Sequence, residues 1–375
     1  MEVNKPIRLS RCSLSMETID FVKKALDSSY LGMGQFVAEF ENRLSTIFSR
    51  EVIAVSSGTT ALHLAIESLD LAPNDEIIAP SITYLATFQA IAAAGVKPVA
   101  CDVDINGQIN INSVLEKINS RTKAIIPVHY AGNSFDIDEL YKLANSNNIR
   151  VIEDAAHAFG SKFNGKMIGS FGDIVCFSFD GIKNITCGEG GCIVTDDSKL
   201  KEKIKAKRSL GVEKDYLKRY KNNRTWEPKV TTKGWRAHMS NINAAIGLSQ
   251  LEIMHDNFKK RRELSSYYYK KLNFLSEYIK VVEISKEHVP HIFPIILIDD
   301  NRDRDQLRNF LLSKNIETGI HYYPCHLLDF FKTKDNLHNA NFYYERTLSL
   351  PLHPELEFDQ IDYIVDKLKN FFIKM

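Results

Sequence analysis

Along the first two-thirds of the chain, short unbroken apolar runs alternate with stretches whose apolar positions recur at helical spacing. EVIAVSS (51–57), EIIAPS (76–81), VKPVACDV (96–103), TKAIIPVHY (122–130), IRVIEDAA (149–156) and DIVCFSF (173–179) predict strands. GTTALHLAIESLD (58–70), YLATFQAIAAAG (84–95) and DIDELYKLANSNN (136–148) predict helices between them. Continuously apolar strands separated by helices imply a mostly parallel sheet covered on both faces. In such sheets ligands bind where the carboxyl ends of strands lead into helices. The expected fold class is therefore α/β.

The pattern changes further on. Ser240 to Leu272 predicts one long helix, altered in character at the Lys-Arg cluster 259–262. HIFPIILID (291–299) then predicts a strand, RDQLRNFLLSKN (304–315) a helix and FDQIDYIVDKLKNFFIKM (358–375) an amphipathic terminal helix. A large domain over 1–249 and a smaller α+β domain over 250–375 are expected, with no internal repeat between them. The segment 212–234 is polar and basic. It predicts a solvated loop or a flap, with Lys214, Lys218, Arg219 and Arg224 within reach of an anionic ligand.

Composition narrows the function. Of 375 residues, 44% are apolar and 25% charged, as in an ordinary globular protein. Lys plus Arg is 48 and Asp plus Glu is 47, a net charge of +1. That balance offers no case for nucleic acid through bulk charge, so a ligand phosphate must be met locally. No signal-peptide core opens the sequence, and no apolar run has bilayer length, so a cytoplasmic protein without a membrane partner is expected. The six cysteines, at 12, 101, 176, 187, 192 and 325, form no CxxC pair and have no histidine set beside them. They predict free thiols and no metal site.

Four features fall at strand ends. Ser56-Ser57-Gly58-Thr59-Thr60 joins a strand to a helix. Gly58 permits close backbone approach, and the free amides of a first helical turn suit a phosphate. Plain N-capping by Ser57 or Thr59 explains the same residues. Asp154 closes an apolar strand, where a partly desolvated carboxylate needs a cation such as a protonated pyridine nitrogen. His157 lies three residues on and can donate to a phenolic ring oxygen. An Asp capping the next turn, with a satisfied buried histidine, is the alternative. Lys183 follows Phe177-Ser178-Phe179-Asp180 and precedes a glycine-rich turn. Held there it can form a Schiff base and shuttle a proton, while Ser178 offers a hydroxyl to a phosphate. A surface lysine on a hairpin fits equally. Tyr84, after Pro80-Ser81-Ile82-Thr83, either stacks on a flat heteroaromatic ring or sits in the core.

Taken together, SSGTTALH (56–63), PSITYLATF (80–88), VIEDAAH (151–157), CFSFDGIKNITCGEGG (176–191), HMSNINAAIGLSQ (238–250), HYYP (321–324) and SLPLHP (349–354) resemble the DegT/DnrJ/StrS-type nucleotide-sugar aminotransferases, in order and over nearly the whole chain. The resemblance implies a fold type I aminotransferase using pyridoxal 5'-phosphate (PLP), and a homodimer with active sites at the interface. By position it makes Lys183 the catalytic, covalently bound lysine and Asp154 the partner of the pyridine nitrogen. His157 falls near the ring oxygen, and Tyr84 stacks on the ring. Gly58, Thr59, Thr60 and Ser178 form the phosphate cup. It places Tyr84, Asp180, Glu189, His321 and Tyr322 along the substrate.

The chain departs from the family at Asp180, where histidine is common, and at Gly234-Trp235-Arg236-Ala237-His238-Met239, where many members read G-x-N-x-R-M. Arg236 would replace the asparagine that reaches the partner's cofactor phosphate. A lysine at 183, in place of the histidine of the dehydrating branch, implies transamination. GEGG and Asp-Gly-Ile-Lys resemble enzymes that aminate C4. The expected reaction moves the amino group of L-glutamate to dTDP-4-keto-6-deoxyglucose, giving dTDP-4-amino-4,6-dideoxyglucose for O-antigen assembly. A galacto product, a C3 aminase and a PLP-binding homologue without turnover are the alternatives. A dinucleotide-dependent dehydrogenase is excluded, because no G-x-G-x-x-G turn follows the first strand.

Overall fold

The computed structural model describes residues 5–212, 229–282 and 285–373. Lys214, Lys218, Arg219 and Arg224, in the segment read above as a solvated loop or a flap, lie outside the described residues. A seven-stranded sheet dominates, in the order β1-β9-β8-β5-β4-β2-β3. Its strands are β1 (Val52–Val55), β2 (Glu76–Pro80), β3 (Lys97–Cys101), β4 (Thr122–Ile125), β5 (Arg150–Asp154), β8 (Ile174–Ser178) and β9 (Gly191–Thr195). The ladders β2–β3, β2–β4, β4–β5 and β5–β8 are parallel, whereas β9 is antiparallel to both β8 and β1. All strands except β9 thus point one way, and their carboxyl ends share one edge. A two-stranded hairpin, β6 (Lys162–Phe163) with β7 (Lys166–Met167), lies apart.

The strands form because alternate residues serve two cores. Val175 and Phe177 of β8 join one cluster with Phe40, Phe48 and Leu248. Ile174 and Cys176 join the other, with Leu62, Ile66 and Ile91. That alternation is the period-2 geometry of a strand covered on both faces. The expected strand over 122–130 stops at Ile125. Pro127 has no N–H to continue a ladder, and the chain turns through Tyr130–Gly132 instead. The helix expected to Asn148 ends at Ser146, because Asn148 takes a left-handed conformation with φ 55°.

Edge strand β1 is not left open. Ala54 N–H donates to the Glu41 carboxylate at 2.8 Å, and Ala54 C=O accepts from the buried Arg208 guanidinium at 2.7 Å. Glu41 and Arg208 pair with each other, so both edge groups are met by one ion pair.

β10 (Ile279–Val281), β11 (Phe293–Leu297) and β12 (Thr347–Leu350) form a separate antiparallel sheet. The helix Asn241–Leu272 runs through the Lys-Arg cluster without a break. Its Met254 and Phe258 pack in the core of the large sheet, and its Leu264, Tyr268 and Leu272 in the core of the small one. Ile7 also belongs to that second core and bridges to Ile316. One rigid element thereby fixes the two sheets against each other.

Phe48 is fully buried, stacked on Phe177 at 5.1 Å and edge-on to Phe159 at 5.8 Å. Phe48→Ala is expected to lower stability by about 3–5 kcal/mol through the cavity it leaves. Urea unfolding of variant and wild type, compared at equal slope, checks this.

Candidate active site

At the shared edge, β1 ends at Val55 and the helix Gly58–Glu67 begins three residues later. Ser57 caps it, its Oγ accepting from Thr60 N at 3.1 Å. The Thr60 hydroxyl lies 2.9 Å from Ser57 Oγ and 3.2 Å from Ser56 Oγ. Capping by Ser57 is therefore real, yet it leaves the first-turn amides of Gly58 and Thr59 without an intrahelical acceptor. A Cβ on Gly58 would lie 2.6 Å from Ser178 Cβ, so glycine alone lets this helix start against the end of β8. The resulting concavity of amides and hydroxyls, at the positive end of a helix, suits a phosphate.

β8 and β9 are joined by a loop rather than by a crossover helix, which is why β9 runs backward. Lys183 sits in that loop. Its N–H donates to Asp180 C=O at 3.1 Å, while Phe179 N–H and Cys187 N–H close the loop onto Gly190 and Phe179 carbonyls. The lysine is not the surface residue of a plain hairpin. Its side chain is half-buried, and its ammonium makes no hydrogen bond or ion pair with a described residue. Burial lowers its pKa to about 8, with Asp154 and Asp180 opposing that shift. Asp180 Oδ1 is turned back onto Ile182 N–H at 3.3 Å.

Asp154, at the end of β5, is 6% exposed. Its oxygens accept from Thr87 Oγ1 at 2.9 Å and Ala156 N–H at 3.2 Å. No cation lies within ion-pair distance among the described residues. Burial raises its pKa, against the pull of those two hydrogen bonds, of Lys183 and of His129. His157 is 4% exposed, with Nε2 3.0 Å from the Tyr322 hydroxyl and Nδ1 buried without a partner among the described residues. Burial, then the charges of Lys183 and His321, keep it neutral. Tyr84 is 56% exposed, its ring 5.7 Å from that of Tyr322, so it faces the cleft and not the core. His321 Nδ1 lies 2.8 Å from Ser349 Oγ, and burial takes its pKa down to about 4.

The structure thus gathers Gly58, Thr60 and Ser178 at one end, and Asp154, His157, Lys183, Tyr322 and Tyr84 at the other. Thr59, Glu189 and Arg236 are exposed and make no side-chain hydrogen bond or ion pair with a described residue. Arg236 is nonetheless held in place. Trp235 Nε1 donates to Glu67 at 2.6 Å on one side, and Ala237 C=O accepts from Ser56 N–H at 2.9 Å on the other. Thr87, Asn184 and His291 belong to the site but are not singled out by the sequence. For Thr87 the signal is its place in the first turn after Tyr84. For His291 there is none short of the fold.

The donor set fits pyridoxal phosphate. A buried carboxylate without a cation matches a pyridinium, an orphaned imidazole nitrogen can meet a ring oxygen, an unpaired amine matches an aldehyde, and a helix start matches the phosphate. Among the described residues no cluster of His, Cys, Asp or Glu could hold a metal, the six cysteines are free, and no helix is long and apolar enough to cross a membrane. Sheet order and site together define a PLP-dependent enzyme of fold type I.

Comparison with known proteins makes this specific. The profile of the DegT/DnrJ/EryC1/StrS aminotransferase family matches residues 13–369, and the chain belongs to that family. GDP-perosamine synthase of Escherichia coli O157:H7 is 36% identical over 376 residues, covering 98% of this chain and 99% of its own. Helicobacter pylori PseC, an aminotransferase involved in the biosynthesis of pseudoaminic acid, superposes with a TM-score of 0.92 at 27% identity, covering 99% of this chain and 100% of its own. Spr1654 of Streptococcus pneumoniae, solved in a PLP form, gives 0.88 at 26% identity, over 97% and 98% of the two chains. The protein is a PLP-dependent sugar aminotransferase.

A lysine held near pH 8 is neutral above that value and protonated below it. Labelling of Lys183 in the apoprotein by an amine reagent should therefore rise through about pH 8, well below the roughly 10.4 of a free lysine. Asp154→Asn removes a charge that favours the ammonium, so the midpoint should fall further. A wild-type midpoint near that of free lysine, read by peptide mass spectrometry, would contradict the electrostatics described here.

Proposed function

We propose that the chain transfers the amino group of L-glutamate to the 4-keto carbon of a nucleotide-linked 4-keto-6-deoxy sugar, as a homodimer, with Lys183 as the catalytic residue. The observation that carries this reading is the half-buried Lys183 amine, lowered to about pH 8 and left without a hydrogen bond, in the same cleft as buried Asp154. When bound, pyridoxal phosphate supplies the electron sink that loosens bonds at the amine-bearing carbon. Lys183 would be the residue that holds it covalently. Its neutral amine is placed to take a proton from the donor's α-carbon and to return one to the sugar's amine-bearing carbon.

The other residues position and stabilise. Asp154 would hold the ring nitrogen protonated. His157 would donate at the ring oxygen, and Tyr84 would cover the ring. Gly58, Thr59, Thr60 and Ser178 bind the phosphate. Arg236, exposed beside the cup, reaches the cofactor phosphate across the dimer, where a guanidinium suits a dianion. The exposed apolar side chains of Met16, Ile19, Leu26 and Leu31 support a second copy. Asp180, Glu189, His321 and Tyr322 line the sugar's path.

The C4 preference and the dTDP-4-keto-6-deoxyglucose substrate, leading to dTDP-4-amino-4,6-dideoxyglucose for an O-antigen or related polysaccharide, rest on the Asp-Gly-Ile-Lys and GEGG runs. The 36% identical GDP-perosamine synthase favours a second reading, in which the nucleotide is GDP. With glutamate and a panel of dTDP-, UDP- and GDP-linked 4-keto and 3-keto sugars, NMR of the product identifies carbon, configuration and base. A 3-amino product would overturn the regiochemistry.

Lys183→Ala should reduce turnover by at least roughly 10²–10⁴-fold, the range supplied by a positioned acid–base group. Borohydride reduction of the wild-type holoenzyme should fix the cofactor on the Lys183 peptide. Full turnover by the variant would refute the assignment.

A further inference from the structure

Behind Lys183 and His157 lie Asn184 and His291, each 4% exposed. Asn184 follows the lysine directly. Its side-chain nitrogen donates to Phe159 C=O at 3.1 Å and to Val289 C=O at 3.4 Å. Both partners can only accept, so the amide orientation is determined and Oδ1 faces His291 Nδ1, 3.3 Å away. An amide oxygen only accepts, which places the proton of His291 on Nδ1. The backbone of His291 is tied as well. Its N–H donates to Ala131 C=O at 3.0 Å, and its C=O accepts from the buried Arg261 guanidinium at 3.2 Å. With side chain and main chain both held, the imidazole is a fixed plane. It lies against His157, with ring centroids 4.3 Å apart and an interplanar angle of 38°.

His157 has little else to orient it. Nε2 meets the Tyr322 hydroxyl, and Nδ1 has no hydrogen-bond partner among the described residues. Tyr322 stands on the 321–324 segment, so its hydroxyl holds Nε2 from a segment separate from the lysine turn. Burial first, then the charges of Lys183 and His321 on both imidazoles and of His157 and Arg261 on His291, lower both rings well below the usual histidine range, so the two lie in contact as neutral rings.

We propose that Asn184 and His291 are positioning residues. Together they set the ring plane of His157 and lock it to the turn that carries Lys183, so that imidazole and amine approach the cofactor in one fixed relation. This rests on the cofactor roles of Lys183 and His157 given above. It adds a physical reason for an asparagine directly after the lysine. The amide links the lysine turn, the Phe159 segment and the 289–291 segment at a single buried point. Support of this kind by buried partners holds a reacting group to the tolerance its chemistry needs.

Three variants test it: His291→Ala removes the plane, His291→Phe restores a flat ring without Nδ1, and Asn184→Ser cuts the link to the lysine turn. Two readouts are taken, the His157 ring orientation in apoprotein crystals and the dissociation constant for pyridoxal phosphate by fluorescence titration. His291→Ala should turn the His157 ring and weaken cofactor binding by roughly tenfold to a hundredfold, the cost usual for losing an orienting partner. His291→Phe, which keeps a flat ring but loses the tie to Asn184, should recover part of both, and Asn184→Ser, which cuts the same tie, should lie beside it. Should His291→Ala not fold, the other two variants decide by the same readouts. A lowered melting temperature with the His157 ring and the dissociation constant unchanged would overturn the proposal, as would a His291→Phe no better than His291→Ala. Borohydride labelling of Lys183 is scored separately. If wild-type Lys183 is never labelled, the cofactor reading fails, while the ring orientation still decides the positioning role.

Discussion

A carboxylate buried at the end of β5, with no cation among the described residues within ion-pair distance, is the constraint on which this site depends. Asp154 keeps two hydrogen bonds, to Thr87 and to the Ala156 amide, which stabilise its charge only in part. Desolvating an anion costs several kcal/mol unless something positive is supplied. Among the described residues no side chain supplies it as an ion pair. Lys183 is near enough to act on Asp154 electrostatically but forms no ion pair with it, and the same burial that raises the acid lowers the amine. The pair is held apart and partly unsatisfied. That arrangement is unfavourable for a resting protein and favourable for one that binds a cationic heteroaromatic ring.

The sheet makes this separation possible. Its strands all point one way except β9, so the ends of β1, β2, β5 and β8 deliver the cup, Tyr84, Asp154 and Ser178 to a single edge. The reversal of β9 replaces a crossover helix with a loop, and that loop carries Lys183 back over the edge. A helix there would have placed the lysine on the face of the sheet. The helix Asn241–Leu272 then serves both cores, so the segments beside the second sheet can bring His291 against the ring of His157 and Tyr322 to its Nε2.

Much of the fold was legible in the residue pattern. β1, β2 and β8 are buried throughout and β5 from Val151 on, and unbroken apolar runs such as VIAV and IVCFS reflect that directly. Edge strand β3, exposed at Lys97, reads less cleanly. β9 gives an apolar run too, but nothing local distinguishes an antiparallel partner from a parallel one. Ile7 is invisible as a core residue, since its partner Ile316 lies at the far end of the chain. Within the site, Lys183, Asp154 and the cup could be placed because each sits at a fixed offset from a strand end. Tyr84 and Lys183 remained ambiguous between buried, exposed and functional states, since exposure is decided by neighbours distant in sequence.

The sequence by itself determined the strand–helix alternation, the strand-end positions of the chemical groups and the family. Those are properties of local period and of residues a few positions apart. Only the tertiary structure decided their energetics. The depressed amine of Lys183, the cation-free burial of Asp154, the orphaned nitrogen of His157 and the plane that His291 sets beneath it all arise from segments that meet across the cleft. Dielectric burial and hydrogen-bond completion depend on every atom within a few ångströms, and in a folded chain most of those atoms are far away in sequence.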